Sequence, residues 1–213
     1  VDGLYVAPGP FSLFRKEVFE ELGNYAHAHN TEDCEIALRM RKHHRRIRYA
    51  HKAIVHTVAV PKFRPLFRQR VRWVYGGIRN KIDYRELLFN REYGDLGMFV
   101  LPFSLFSQFI ISIVLLLLVI TTGINFFSNL SYAFQTGVFS WDIFAGLGQA
   151  SLWVNIVLLL VVFGSIYFGR RMVGKPRWSF DMVYGVFLLG LISPLWVIAS
   201  VYNVVRSYEQ SWY

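Results

Sequence analysis

Three stretches without a charged side chain fill the second half of this chain, and they constrain its fold more than any motif does. They run from Asp95 to Asp142, from Asp142 to Arg170 and from Asp181 to Arg206, and are 46, 27 and 24 residues long. About 20 apolar residues suffice to carry a helix across a bilayer. Backbone polar groups in hydrocarbon must be satisfied within the protein, which favours helices. The runs therefore predict an all-α membrane domain over residues 98–213, with about three transmembrane helices near 98–122, 150–168 and 182–204. A short interfacial helix with Trp141 is expected over 139–147.

Charge is concentrated ahead of these runs. Residues 1–95 hold 18 of the 23 Lys and Arg and 11 of the 14 Asp and Glu, a net +7. Arg170, Arg171, Lys175 and Arg177 crowd the loop between the second and third runs, whereas residues 123–140 contain no Lys or Arg. By the positive-inside rule, both the basic loop and residues 1–95 face the cytoplasm of a plasma (inner) membrane, with the C-terminus outside. The single cysteine, Cys34, cannot form an internal disulfide and suits that compartment. The start at Val1 and the modest length of the polar part lead us to expect a preceding portion.

Within the polar part, 4–7, 46–49 and 53–58 read as short strands. Pro8-Gly9-Pro10 reads as a turn. A helix over 14–22 is stopped by Gly23. Thr31 is a good N-cap for a helix over 32–43, where Cys34, Ala37, Leu38 and Met40 recur at helical spacing. A further helix over 64–80 has two faces. Phe63, Phe67, Val71, Val74 and Ile78 form an apolar stripe, and Gln69, Arg72, Trp73 and Gly76 lie roughly opposite. Residues 83–97, mixing Tyr84, Leu87, Leu88, Phe89 and Tyr93 with charges, suit an interfacial connection on the bilayer surface.

Two clusters are suited to chemistry. Asp33 sits in the first turn of its helix, where free N–H groups and the helix dipole favour an ionised carboxylate, as a general base must be. Glu32, Asp33 and Glu35 could equally do no more than dress a helix start. The second cluster shifts that balance. Arg72 offers a planar fork for phosphate oxygens, supported by Gln69 one turn earlier. Trp73 presents an apolar face to the C–H groups of a pyranose ring. A diphosphate leaving an anomeric carbon needs positive charge where negative charge builds up.

Thr31-Glu32-Asp33 followed by Gln69-Arg70-Val71-Arg72-Trp73 resembles the TED and QxxRW motifs of membrane-embedded glycosyltransferase family 2 enzymes. These include the cellulose, chitin, hyaluronan and poly-N-acetylglucosamine synthases. Pro8-Gly9-Pro10-Phe11-Ser12 with Arg15 resembles the segment ahead of TED. Leu88-Phe89-Asn90, Tyr93-Gly94 and Leu101-Pro102 resemble the entry to the membrane in the poly-N-acetylglucosamine branch. The resemblance implies an α/β fold over residues 1–82, the C-terminal part of a GT-A, Rossmann-like domain. It implies Asp33 as catalytic base, Trp73 stacked on the acceptor sugar, and Gln69 with Arg72 on the donor diphosphate, with Glu32 and Arg70 among the substrate-binding residues. It also implies a UDP-linked donor, inversion at the anomeric carbon, and Mg²⁺ or Mn²⁺. No metal ligand is expected within this chain, because the family's Asp-x-Asp has no counterpart here and would lie upstream of Val1. This stretch alone is accordingly expected to be inactive. The partners implied are a nucleotide-sugar, a saccharide or lipid-linked acceptor, and the bilayer.

Other features weigh less. His56 and Thr57 could approach a metal, but ordinary strand residues explain them as well. His43-His44 and the basic run over 39–48 lack interleaved aromatics, so lipid contact is favoured over nucleic acid. Asn129-Leu130-Ser131 fits a glycosylation acceptor on an outside loop. A different class stays open: a non-catalytic membrane anchor or transport component with a basic lipid- or partner-binding domain. Spans without ionisable groups argue against transport of a charged solute. A sugar polymer could pass between spans lined by Trp153, Trp196 and Tyr202.

Overall fold

A computed structural model describes residues 3–50, 52–137, 149–172, 174 and 180–207. Six α-helices appear among them: α1 Lys16–Leu22, α2 Glu32–Lys42, α3 Phe63–Asp83, α4 Leu101–Thr136, α5 Gln149–Met172 and α6 Phe180–Val205. Between α3 and α4 the chain makes two 3₁₀ turns, Arg85–Leu87 and Arg91–Tyr93, and a π turn, Leu96–Val100. The chain divides into two compact units, one of Val1–Ser112 with Ser193–Tyr213 and the other of Ile113–Ile192.

The expected α/β fold is not formed. No strand occurs among the described residues, and 4–7, 46–49 and 53–58 have no ladder. A β-rich stretch becomes a strand only when a neighbour supplies hydrogen-bond partners and a surface to pack on. Here the Ala7 N–H donates instead to the Asp33 carbonyl at 3.1 Å, and Ala53 N–H turns back to Ala50 at 2.9 Å. Tyr49, Ile54, Val55 and Val58 are all exposed, so burial does not hold these segments flat either.

The helical expectations fare better. α1 stops at Gly23, whose φ of 78° lies in the left-handed region that glycine occupies without strain. α2 ends at Lys42, with His43 as its C-cap, one residue short of the expected 43. α3 runs on to Asp83, one turn beyond the expected 80. Thr31 takes the N-cap place without a capping bond. Its hydroxyl is engaged elsewhere, as described below.

The core of the first unit is built where α2 meets the connection to α4. Cys34, Leu38, Leu87, Leu96 and Leu101 are buried together, with Tyr5, Tyr84, Leu88, Tyr93 and Val100 packed around them. Gly97 makes the π turn possible, since a Cβ there would stand 2.4 Å from the Asn90 carbonyl oxygen. The Gly97 carbonyl also accepts from Phe89 N–H at 2.9 Å. Arg39 ties α1 to α2 by donating to the carbonyls of Leu22 at 2.8 Å and Asn24 at 3.0 Å. On the same side, buried Glu35 accepts from Arg39 at 3.1 Å and from the Tyr84 hydroxyl at 2.6 Å.

Among the described residues, two stretches are long and apolar enough to cross a membrane, Leu96–Thr136 and Val183–Val205. α4 continues to Thr136 rather than ending near 122. Only 6% of the most apolar window in the first stretch is buried, and Ile110, Ile113, Leu117 and Ile124 are exposed. A core helix of a water-soluble protein would hide such a surface. Hydroxyls on α4 bond back along the helix, Ser112 donating to the Gln108 carbonyl and Thr121 to the Leu117 carbonyl, each at 2.8 Å, as Ser and Thr commonly do within helices. Asn129 lies within α4, not on a loop. The short helix expected over 139–147, Lys175 and Arg177 all lie outside the described residues.

Candidate active site

The start of α2 and the middle of α3 build the site. His29 and Asn30 both adopt left-handed backbone, with φ of 48° and 64°, and turn the chain sharply into Thr31. Thr31 is buried, and its hydroxyl donates to the Ala28 carbonyl at 3.1 Å. Its carbonyl accepts the N–H groups of Cys34 and Glu35, both at 3.1 Å, which starts the helix.

Asp33 follows, half-buried, with Oδ1 accepting the Cys34 N–H at 2.8 Å. Burial raises its pKa above the ordinary aspartate value, neighbouring Glu32 adds to the rise, and backbone N–H groups oppose it. The N–H groups at the helix start act in the expected direction but do not outweigh burial. Desolvation prevails, and the carboxylate is a stronger base than one in water. Glu32, beside it, is exposed.

α3 presents Arg72, Gly76 and Asn80 on one face, at i, i+4 and i+8. Gly76 is the point of closest approach to α2. A Cβ there would stand 2.3 Å from Thr31 Oγ1 and 2.6 Å from the His29 carbonyl. Arg72, one turn earlier, is half-buried. Burial lowers its pKa, and the charge of Glu32 opposes the drop. The guanidinium thus lies within electrostatic reach of the acidic start of α2. Gln69 is half-buried on the same side of α3.

Arg70 and Trp73 pair with each other, the guanidinium carbon 4.8 Å from the indole centroid. Trp73 remains 45% exposed, so the indole has surface left for a ligand. The structure thus brings Arg72 within electrostatic reach of Glu32 and pairs Arg70 with Trp73.

A neighbouring side of α3, about 100° around the helix, rests on the end of α6. Val71 and Tyr75 are buried. The Ser200 hydroxyl donates to the Val71 carbonyl at 3.0 Å. Arg79 donates to the Val204 carbonyl at 2.8 Å and to Ser207 Oγ at 2.7 Å, placing positive charge at a helix C-terminus, where it is favoured. Sequence reasoning took this face for an apolar stripe alone and did not identify Arg79, Asn80 or Lys81. Lys81 is buried with its amine 5.4 Å from the Tyr5 ring centroid. Extending the Gln69–Arg72–Gly76 face by one further turn leads to Asn80.

Among the lesser candidates, His56 and Thr57 are exposed outside any helix. His44 stacks on Tyr93 at 5.3 Å and pairs with Glu92 at 3.3 Å. Among the described residues no group of three or more His, Cys, Asp or Glu stands together to hold a metal ion. A cavity of about 510 Å³ lies between the first turns of α4 and the second half of α6, lined by Tyr5, Ser104, Gln108, Ser112, Ser193 and Trp196 among others. Tyr202 is exposed, with Arg206 4.6 Å from its ring centroid. The side chain of Trp153 lies outside the described part.

A profile of glycosyl transferase family group 2 matches residues 4–167. Two curated relatives, both poly-beta-1,6-N-acetyl-D-glucosamine synthases of Staphylococcus epidermidis, are each 26% identical over 136 residues. That alignment takes in 62% of this chain and 32% of each relative, so the chain spans about a third of their length. No solved structure matches significantly.

Proposed function

The chain belongs to glycosyl transferase family group 2, and from that premise we propose that its protein is an inverting glycosyltransferase. It moves a sugar from a UDP-linked donor to a growing polysaccharide or lipid-linked acceptor at the cytoplasmic face of a membrane. The observation that supports the reading is the α2–α3 contact at Gly76, which packs the turn ahead of half-buried Asp33 against the helix that carries Gln69 and Arg72.

In this reading Asp33 accepts the proton of an acceptor hydroxyl as that oxygen attacks the anomeric carbon. The new carbon–oxygen bond forms while the bond from that carbon to the diphosphate breaks, and its electron pair leaves with the diphosphate. Arg72, with Gln69 behind it, takes the growing negative charge. Partial burial strengthens that interaction, since charges attract more strongly away from bulk water. Trp73, with Arg70 on one side of its ring, offers its remaining surface to the acceptor sugar. Glu32, exposed beside Asp33, is assigned to substrate binding with Arg70.

The exposed apolar sides of α4 and α6 support a bilayer as the surroundings of the second half. The basic end of α5, Arg170 and Arg171, supports a cytoplasmic position for that end. Trp196, in the cavity beside α4, supports a saccharide as the material handled near the membrane. The relatives' printed product, a β-1,6-linked N-acetylglucosamine polymer, makes UDP-N-acetylglucosamine the donor to try first.

The test uses the full-length protein in membranes, wild type beside Asp33→Asn, with radiolabelled UDP-N-acetylglucosamine and UDP-glucose. Incorporation by the wild type that vanishes in the variant is the expected result. Undiminished transfer by Asp33→Asn would remove Asp33 from the mechanism.

A further inference from the structure

Asn80 lies on α3 two turns beyond Arg72 and is fully buried. Its amide nitrogen Nδ2 donates to Thr31 Oγ1 at 2.8 Å and to the carbonyls of Thr31 and Ala28 at 3.2 Å. Three oxygens surround this one nitrogen, so its neighbours determine which way the amide faces. The same Thr31 carbonyl accepts the first backbone bonds of α2, from Cys34 and Glu35. One side chain of α3 therefore holds the oxygen atoms around which α2 begins, two residues before Asp33.

Gly76 makes that grip possible by bringing the α3 backbone close to Thr31. Arg72 continues the same face toward Glu32. Asn80, Gly76 and Arg72 thus form one line along α3, with a fastening at one end, a contact in the middle and a guanidinium at the other. The Asn80 side chain is polar and takes no part in the apolar cluster around Leu38 and Leu87, so packing alone does not explain its burial. Leaving a buried amide group unpaired is costly; Oδ1 has no hydrogen-bond partner, so what this side chain bonds, through Nδ2 alone, is the turn that leads to Asp33.

We propose that Asn80 is a positioning residue of the transfer reaction, its amide holding the start of α2, and with it Asp33, in register with Arg72. The inference rests on Asp33 being the base and does not depend on which sugar is moved. Displacing a catalytic group by about 1 Å costs on the order of a hundredfold in rate, whereas donor binding through Arg72 and Gln69 on α3 itself is unaffected.

The test compares Asn80→Ala, Thr31→Val, the double variant and Asp33→Asn in the full-length protein in membranes. Transfer from radiolabelled UDP-N-acetylglucosamine and UDP-glucose is measured beside backbone hydrogen exchange. For Asn80→Ala, kcat should fall roughly tenfold to a hundredfold, with donor KM within about twofold. Exchange at the Cys34 and Glu35 amides should quicken about tenfold, with α6 amides unchanged. Adding Thr31→Val to Asn80→Ala should cost no more than about a further twofold, because both remove one contact.

Wild-type kcat in Asn80→Ala, unaltered exchange at Cys34 and Glu35, or exchange quickened evenly through α3 and α6 would each overturn the proposal. Transfer lost in Asp33→Asn but kept in Asn80→Ala brings down the positioning role alone. Transfer kept in Asp33→Asn brings down the functional reading and the positioning role with it. If neither donor is used, the exchange measurement still decides.

Discussion

At the scale of single residues, the site turns on how far burial shifts two charged groups. Asp33 has a raised pKa because desolvation outweighs its backbone hydrogen bonds. The protonated acid cannot accept a proton, so the rate of transfer should rise with pH through that raised value. The acidic limb of the kcat profile is expected above the ordinary aspartate range, and a limb within that range would place Asp33 in open water. The same shift bears on stability. A carboxyl with a folded pKa above its unfolded one binds its proton more tightly when folded. Its stabilising contribution is full below the unfolded pKa and lost as pH rises through the folded one. Asp33→Asn should therefore melt higher than wild type at neutral pH while losing about 10² to 10⁴ of its rate, a combination that thermal scans and transfer assays can check together. For Arg72→Lys, the loss of the planar fork should weaken donor binding and slow the reaction, and an unchanged kcat/KM would argue against a diphosphate contact there.

At the scale of elements, α3 is the piece on which everything meets. Its Gly76 face lies on the start of α2, and its Val71 and Arg79 side lies on the end of α6. Gly76→Ala should be poorly tolerated, because the added Cβ meets the His29 backbone as well as the Thr31 side chain. Overpacking of this kind costs about 1 to 3 kcal/mol, and here it should lower kcat beyond what the fall in melting temperature predicts. Much of α3 was legible beforehand. The four- and three-residue steps of Phe67, Val71, Val74 and Ile78 marked a helix, and Gln69, Arg72 and Trp73 were correctly placed on its other side. Asn80 was not, since an asparagine near a helix end reads as solvated until its partner, Thr31, is seen packed against it. The strands failed for a related reason. Residues 53–58 have the composition of a strand, but composition supplies no neighbouring ladder, and among the described residues none is provided.

At the scale of the whole molecule, α4 and α6 carry apolar surface that the described residues do not cover. At 1.5 Å per residue, the 41 residues of Leu96–Thr136 rise about 61 Å, roughly twice the hydrocarbon thickness of a bilayer. A helix of that length placed across a bilayer would have only part of itself in hydrocarbon. Leu117→Arg, on an exposed position of α4, should cost about 2.5 to 3.5 kcal/mol in membrane insertion if that position is near the bilayer centre. A glycosylation-reporter insertion assay would read the difference, and no change would place Leu117 outside the hydrocarbon.

The sequence by itself determined the helices, the uncharged runs and the two motifs, because periodicity, charge and short-range spacing are written in neighbouring residues. Only the tertiary structure decided that the expected sheet is not formed, that burial rather than the helix start governs Asp33, and that Asn80 and Gly76 fasten one motif to the other. Those outcomes depend on which surfaces remove water from which groups. Thr31 and Asn80 stand 49 residues apart, and only packing brings them within hydrogen-bond reach.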